Sequence, residues 1–345
     1  MGSLVESVEK LRPGTVAVVG LAKNCGKTTA LNHLLKEYAA RQAGVAVTSA
    51  GRDGEERDGL TMQPKPPVEL PEGALAVTAE DTLNRWKASH RVVSRLGIES
   101  AMGEVLIVEA TEEGNAEIAG PSKLDEVAQA VRELQKLGAK RVLIDGAFDR
   151  IAVGHPGLTD AVVLAAGAVL AASPLSVARI VAERVELLSL SPPPKGFRGH
   201  LREIAEDLGP RAAAVTEDFQ VKELPDTVLL GPNDAARAAE GARWLVCGGA
   251  LTYELVEILL AANAKVDLVA RDATKVFITG NCFRRWGEAG RKVHVLAPLS
   301  LAAVVTNPHN PTGHDLDPQL LVSETAQRVR RLPVFDVVAG LQGNT

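Results

Sequence analysis

Aromatic residues are scarce in this sequence: 345 residues include six Phe, three Trp and two Tyr. Val, Leu, Ile and Ala must therefore fill the core, and such side chains suit buried parallel strands covered by helices. The three cysteines, Cys25, Cys247 and Cys282, stand far apart with no CxxC pair. That spacing argues against a disulfide framework and against a zinc site. The longest apolar run, Ala161 to Ala172, has 12 residues, whereas a bilayer span needs about 20. Positive charge is not in excess: 38 Lys and Arg face 43 Asp and Glu, for a net charge of −5. A nucleic-acid partner, which needs a basic face, is thus not expected. The first residues are acidic and amphipathic rather than a basic stretch leading into an apolar one, and Glu6 stands where a myristoylation site takes Ser or Thr. The expectation is a cytoplasmic protein with no membrane or nucleic-acid partner.

What is present is an alternation of short apolar runs and amphipathic stretches. Residues 4–11 read as a short helix and Thr15 to Val19 as a strand. After a glycine-bounded loop, Ala30, Leu31, Leu34, Leu35 and Tyr38 recur at helical spacing before a second strand at Val45 to Thr48. Strand, loop, helix and strand within about 35 residues have the length of a βαβ unit. Further strands are expected at Val105 to Glu109, Arg141 to Ile144 and Asp160 to Ala165, with helices at Lys123 to Leu137 and Val177 to Leu188. This pattern predicts an α/β fold of P-loop NTPase type, a mostly parallel sheet covered by helices. Gly59 to Gly73, with four prolines, reads as a loop or lid. Consecutive prolines at 192–194 mark a boundary. The division expected is a nucleotide-binding domain at 1–190, a Pro/Gly-rich linker at 191–200 and a smaller α/β domain at 201–345.

Gly20-Leu-Ala-Lys-Asn-Cys-Gly-Lys27-Thr28 matches G-x-x-x-x-G-K-[ST] in full. It follows a strand and opens a helix, where backbone N–H groups and the positive helix end can hold a phosphate. Lys27 would reach the β and γ phosphates, and the Thr28 hydroxyl would ligate Mg²⁺. The nucleotide-binding candidates are Gly20, Lys23, Asn24, Cys25, Gly26, Lys27, Thr28 and Thr29, joined by Arg52 from the next loop. Lys23 invites comparison with the ParA-like ATPases, but Leu21 occupies the position of their extra lysine. A solvated loop lysine is the plainer reading of Lys23. Cys25, at a helix N-terminus, is either an activated thiol or a small residue fitted into a tight loop.

A metal also needs a carboxylate. Asp145 ends the apolar strand RVLID and is followed by a glycine that lets a ligand approach. Glu109, closing VLIVE, is the competing metal ligand. Asp53, or Glu55, would orient a water molecule from the loop after the second strand, with a polar turn as the alternative. Asp149 and Arg150 read as a salt-bridged pair, with Arg150 near the γ-phosphate as the alternative. No Asn-Lys-x-Asp guanine reader occurs, which tilts the nucleotide toward ATP.

Four features downstream invite other readings. Asn307-Pro-His-Asn-Pro-Thr-Gly313 looks like the pyridoxal-phosphate segment of fold-type I aminotransferases, yet no lysine follows it to form a Schiff base. It is expected to be a turn in the second domain. Gly248-Gly249 resembles a phosphate turn only weakly. Arg284-Arg285-Trp286 is a candidate cationic and aromatic surface. The seven histidines show no metal-ligand spacing.

VGLAKNCGKTTALN (19–32), TSAGRDGEE (48–56), EIAGPS (117–122), LIDGAFDR (143–150) and TDAVVLAAGAV (159–169) run in an order that resembles the P-loop subunit of the reactivase for lysine 5,6-aminomutase and D-ornithine aminomutase. A similar NP-rich turn in that family would explain residues 307–313 without pyridoxal phosphate. The resemblance implies an ATPase, with ATP and Mg²⁺ as cofactors, that opens an adenosylcobalamin-dependent aminomutase so that damaged cobalamin leaves. It also implies a second, MutS-like reactivase subunit as partner, and a homodimer is compatible with it. On this view Lys27, Thr28 and Asp145 carry nucleotide and metal, and the 50s loop is the switch. Two rivals share the phosphate loop. One is a small-molecule kinase or ligase resembling dethiobiotin synthase, and the other is a GTP-gated metallochaperone.

Overall fold

The structure is a computed structural model that describes residues 2–50, 67–146, 155–224 and 232–343. The chain divides into two compact units, Met1–Ala182 with Ser300–Thr345, and Glu183–Leu299. The first unit begins with α1 (Leu4–Glu9), β1 (Thr15–Gly20), α2 (Lys27–Ala40), β2 (Val45–Ala50), β3 (Val68–Leu70), β4 (Leu75–Ala79), β5 (His90–Ser100), β6 (Gly103–Ala110) and β7 (Gly114–Ala116). It continues with α3 (Leu124–Lys136), β8 (Arg141–Gly146), β9 (Ala161–Gly167) and α4 (Pro174–Leu188), the last of which runs into the second unit. The second unit adds α5 (Lys195–Leu208), β10 (Ala212–Val215), β11 (Val221–Glu223), α6 (Pro232–Ala239), β12 (Trp244–Cys247), β13 (Leu251–Thr252), α7 (Tyr253–Ala261), β14 (Asp267–Asp272), β15 (Val276–Phe277), α8 (Gly280–Glu288) and β16 (Val293–Ala297). The chain then returns to the first unit with β17 (Leu301–Asn307), α9 (Pro318–Val329), β18 (Val334–Asp336) and β19 (Leu341–Gly343).

Ten strands make the sheet of the first unit, in the order β19-β18-β17-β9-β1-β8-β2-β4-β6-β5. From β18 to β4 all neighbours are parallel, and the β5–β6 hairpin and β19 add antiparallel edges. Every residue of β1, β2 and β9 is buried, so both sheet faces are covered, as continuous apolar strands require. Leu31, Leu34, Leu35 and Tyr38 of α2 pack with Val16, Val18, Leu143, Val163 and Val305 in one core. Asp160 fixes the start of β1 against β9, because its Oδ2 accepts from Gly14 N at 2.8 Å and Thr15 N at 2.9 Å. The fold is therefore α/β with a large, mostly parallel sheet. Among the described residues no helix is long and apolar enough to cross a membrane.

The second unit has its own five-stranded sheet, β11-β10-β12-β14-β16, with β12, β14 and β16 parallel. Trp244, Leu201, Val246 and Val269 lie in its core. These boundaries differ from the expected division at 191–200. Pro194 is the N-cap of α5, which runs from Lys195 through the supposed linker, and Ser191 O accepts from Val295 N at 3.2 Å. The prolines end one helix and start another rather than separating domains. Residues 300–345 likewise leave the expected C-terminal domain, since β17 pairs with β9 from Leu301 to Asn307.

α1 is anchored by a charged contact. Arg141 Nε and Nη2 donate to Glu9 Oε1 and Oε2 at 2.7 and 2.6 Å, and the Tyr38 hydroxyl donates to Oε1 at 2.9 Å. The Arg141 hydrogen bonds hold the Glu9 carboxyl below its ordinary value of 4.5. A lowered carboxyl stabilises the fold above its unfolded pKa, and that gain is lost as pH falls through the folded value. Glu9→Gln is expected to cost about 1 kcal/mol at pH 7. The difference between denaturant melts of the two proteins should begin to shrink near pH 4.5 and vanish once pH has fallen through the lowered folded value. A difference that persists in stronger acid would refute this linkage.

Candidate functional site

β1 is a run of buried β-branched and small residues held between β8 and β9, so its C-terminal end has a fixed position. The chain leaves it through a tight loop in which Asn24 has φ 58° and Gly26 φ 93°. Gly26 is the N-cap of α2 and supplies no side-chain cap to the first turn, a helix end of the kind that receives anions. Space also dictates glycine here. A Cβ on Gly26 would lie 2.7 Å from Asn307 Cβ, and one on Gly20 would lie 2.5 Å from Cys25 Sγ and 2.9 Å from Lys27 Cγ.

Lys27 Nζ lies 3.3 Å from Asp145 Oδ1, and the Asp145 side chain is only 6% exposed. The register explains the meeting: Asp145 is paired with Val18 of β1 on one side and with Ser49 of β2 on the other. Thr28 is buried beside Lys27. A carboxylate and a lysine thus meet, with Thr28 next in sequence to the lysine, at the end of the parallel strands where open α/β sheets bind ligands. The EIAGPS segment closes over the same end, since Gly120 N donates to Ser49 Oγ at 2.8 Å and a Cβ there would come within 2.1 Å of Ser49 O.

The other candidates separate. Glu109 is not part of this site. β6 runs antiparallel to β4 and sets Glu109 against Leu75, which is level with Ala46 at the opposite end of the sheet. Glu109 instead accepts from Arg91 of β5 at 2.6 Å. Cys25 is buried, and burial raises its thiol pKa. The activated-thiol reading therefore fails, and Cys25 is a small residue fitted into a tight loop. Lys23, Asn24 and Thr29 are exposed on the loop and the first helical turn. Arg52, Asp53, Glu55, Asp149 and Arg150 lie outside the described residues.

The downstream features resolve differently from expectation. Gly248 and Gly249 serve backbone packing, because Cβ atoms there would lie 2.5 Å from Gly209 O and Pro210 O. Trp286 is fully buried, while Arg284 pairs with Glu183 at 2.9 Å and Arg285 with Glu257 at 2.6 Å. They do not form an open cationic and aromatic surface. The residue that sequence reasoning missed beside the Gly20–Thr28 loop is Asn307. It ends β17 in the first unit, and its Nδ2 donates to Asn24 O at 3.4 Å across 283 positions. No local signal in the sequence joins two residues so far apart.

Among the described residues no three His, Cys, Asp or Glu side chains converge as a metal cluster. A divalent ion beside Lys27 would draw on the Thr28 hydroxyl, the Asp145 carboxylate, phosphate oxygens and water. That set of hard oxygens suits Mg²⁺. Comparison with protein-family models, curated proteins and solved structures finds no match to this chain.

Proposed function

We propose that the chain is a Mg²⁺-dependent P-loop ATPase that reactivates an adenosylcobalamin-dependent aminomutase together with a MutS-like partner subunit. The observation that carries the ATPase reading is the Lys27–Asp145 pair, set at the end of β8 beside a loop too close-packed for a Cβ at Gly20 or Gly26. The aminomutase reading rests on the ordered motifs from VGLAKNCGKTTALN to TDAVVLAAGAV.

In this reading the loop N–H groups and the first turn of α2 bind the triphosphate. Lys27 exchanges its partner, leaving the Asp145 carboxylate for the β and γ phosphates. Asp145, freed of that charge, and Thr28 would then hold Mg²⁺. Bound there, Mg²⁺ would draw charge from the phosphate oxygens. The protein's task is positioning and charge stabilisation, the terms that dominate phosphoryl transfer.

The test combines ATP hydrolysis with recovery of an aminomutase inactivated by damaged cobalamin, with and without the MutS-like subunit. ATP loss and mutase recovery should appear together. ATP loss without recovery, all components present, overturns the reactivase role and sends the search to a small-molecule phosphate acceptor. A narrower prediction concerns the metal. Asp145→Asn should lower Mg²⁺-stimulated turnover about a hundredfold, whereas Glu109→Ala should leave the Mg²⁺ dependence unchanged. The reverse result would move the metal to the other end of the sheet.

A further inference from the structure

The Lys27–Asp145 pair gives the phosphate loop a direction. β1 has β8 with Asp145 on one side and β9 followed by β17 on the other. With the terminal phosphate and metal toward Asp145, the other flank of β1, at β9 and β17, is the side on which the rest of a linear nucleotide can lie. What stands there is the turn from Asn307 to Asp317, which the phosphate-binding reading does not use.

This turn is joined to the loop and internally fixed. Asn307 Nδ2 donates to Asn24 O at 3.4 Å, and Asn307 Oδ1 accepts from His309 N at 3.2 Å. Gly167, at the end of β9, has no room for a Cβ: it would sit 2.6 Å from Asn307 O and 3.3 Å from Cys25 O. Phosphate loop, β9 end and β17 end are therefore one close-packed surface. Beyond Asn307, Asp315 Oδ1 accepts from Asn310 N at 2.8 Å and lies 3.0 Å from His309 Nδ1. Leu316 N closes the turn on Pro308 O at 2.9 Å. The His309 side chain is held in place by Asp315 while 65% exposed. An exposed imidazole held by Asp315, two residues beyond the Asn307–Asn24 contact, is suited to stack on a heteroaromatic base.

The geometry points to the turn Asn307–Asp317 as the wall that receives the base and ribose of the nucleotide, with Asn307 as the positioning residue that ties this wall to the phosphate loop. The inference rests on the phosphate-binding reading and adds where the nucleoside lies. It makes the site one for a nucleoside triphosphate rather than for a bare polyphosphate.

The test uses the full chain with Mg²⁺ and three probes: ATP, tripolyphosphate and photoreactive 8-azido-ATP. The azido label should attach within residues 307–317 and be displaced by ATP. His309→Ala should weaken ATP binding about tenfold and leave tripolyphosphate binding unchanged, and His309→Phe should restore the preference for ATP. Labelling elsewhere, equal loss of both ligands in His309→Ala, or no loss of either overturns the nucleoside wall. A wild-type chain that binds tripolyphosphate as tightly as ATP also overturns it while leaving the phosphate loop intact. A wild-type chain that binds neither probe overturns the phosphate-binding reading and this one with it.

Discussion

Lys27→Ala should reduce Mg²⁺-dependent ATP hydrolysis by about a hundredfold to a thousandfold, the loss expected when one preorganised charge is removed from a phosphate site. The same change has a second, structural effect. Asp145 is 6% exposed, so removing the lysine leaves its carboxylate buried without that cation. Loss of that one cationic contact from a buried carboxylate costs on the order of 1–3 kcal/mol. The two effects can be told apart, because adding Asp145→Ala to Lys27→Ala should recover stability and no activity. Steady-state hydrolysis and urea melts of the two single variants and the double variant supply the cycle. Wild-type turnover in Lys27→Ala would remove the lysine from the mechanism altogether.

The largest stability effect is expected in the second unit. Trp286 has no exposed surface, its Nε1 donates to Lys292 O at 3.2 Å, and the Arg291 guanidinium lies 4.8 Å from its ring centroid. Trp286→Ala removes the ring, the hydrogen bond and the support of a buried arginine together. A loss of about 3–5 kcal/mol should follow, read as a lower denaturant midpoint. Trp286→Phe keeps most of the ring volume and should lose clearly less. Equal midpoints for Trp286→Ala and wild type would contradict the packing described.

Much of the site was legible because its signals are local. Lys27 and Thr28 follow a strand and open a helix, and Asp145 ends an apolar strand, so one periodicity places each of them. Glu109 carries the same local signal as Asp145, yet β6 runs the other way. Strand direction depends on the hairpin from His90 to Ala110, whose exposed β5 has only a weak apolar pattern. Arg284, Arg285 and Trp286 read as a surface because they are adjacent, but a helix turns each toward a different neighbour. The sequence pattern puts Asn307 in a turn of the second domain, whereas it ends β17 in the first unit. Its role follows from β17 pairing with β9, a long-range choice that no window of sequence encodes.

That pairing has a consequence in time. During synthesis, the whole segment Glu183–Leu299 emerges between β9 and its neighbour β17. At ordinary elongation rates this interval lasts about ten seconds. Throughout it, the apolar strand Ala161–Gly167 has one side unpaired, the kind of edge that seeks other strands. The inserted unit is thus a delay built into the gene order. A nascent chain carries Lys27 early, but Asn307 is synthesised only after the whole second unit.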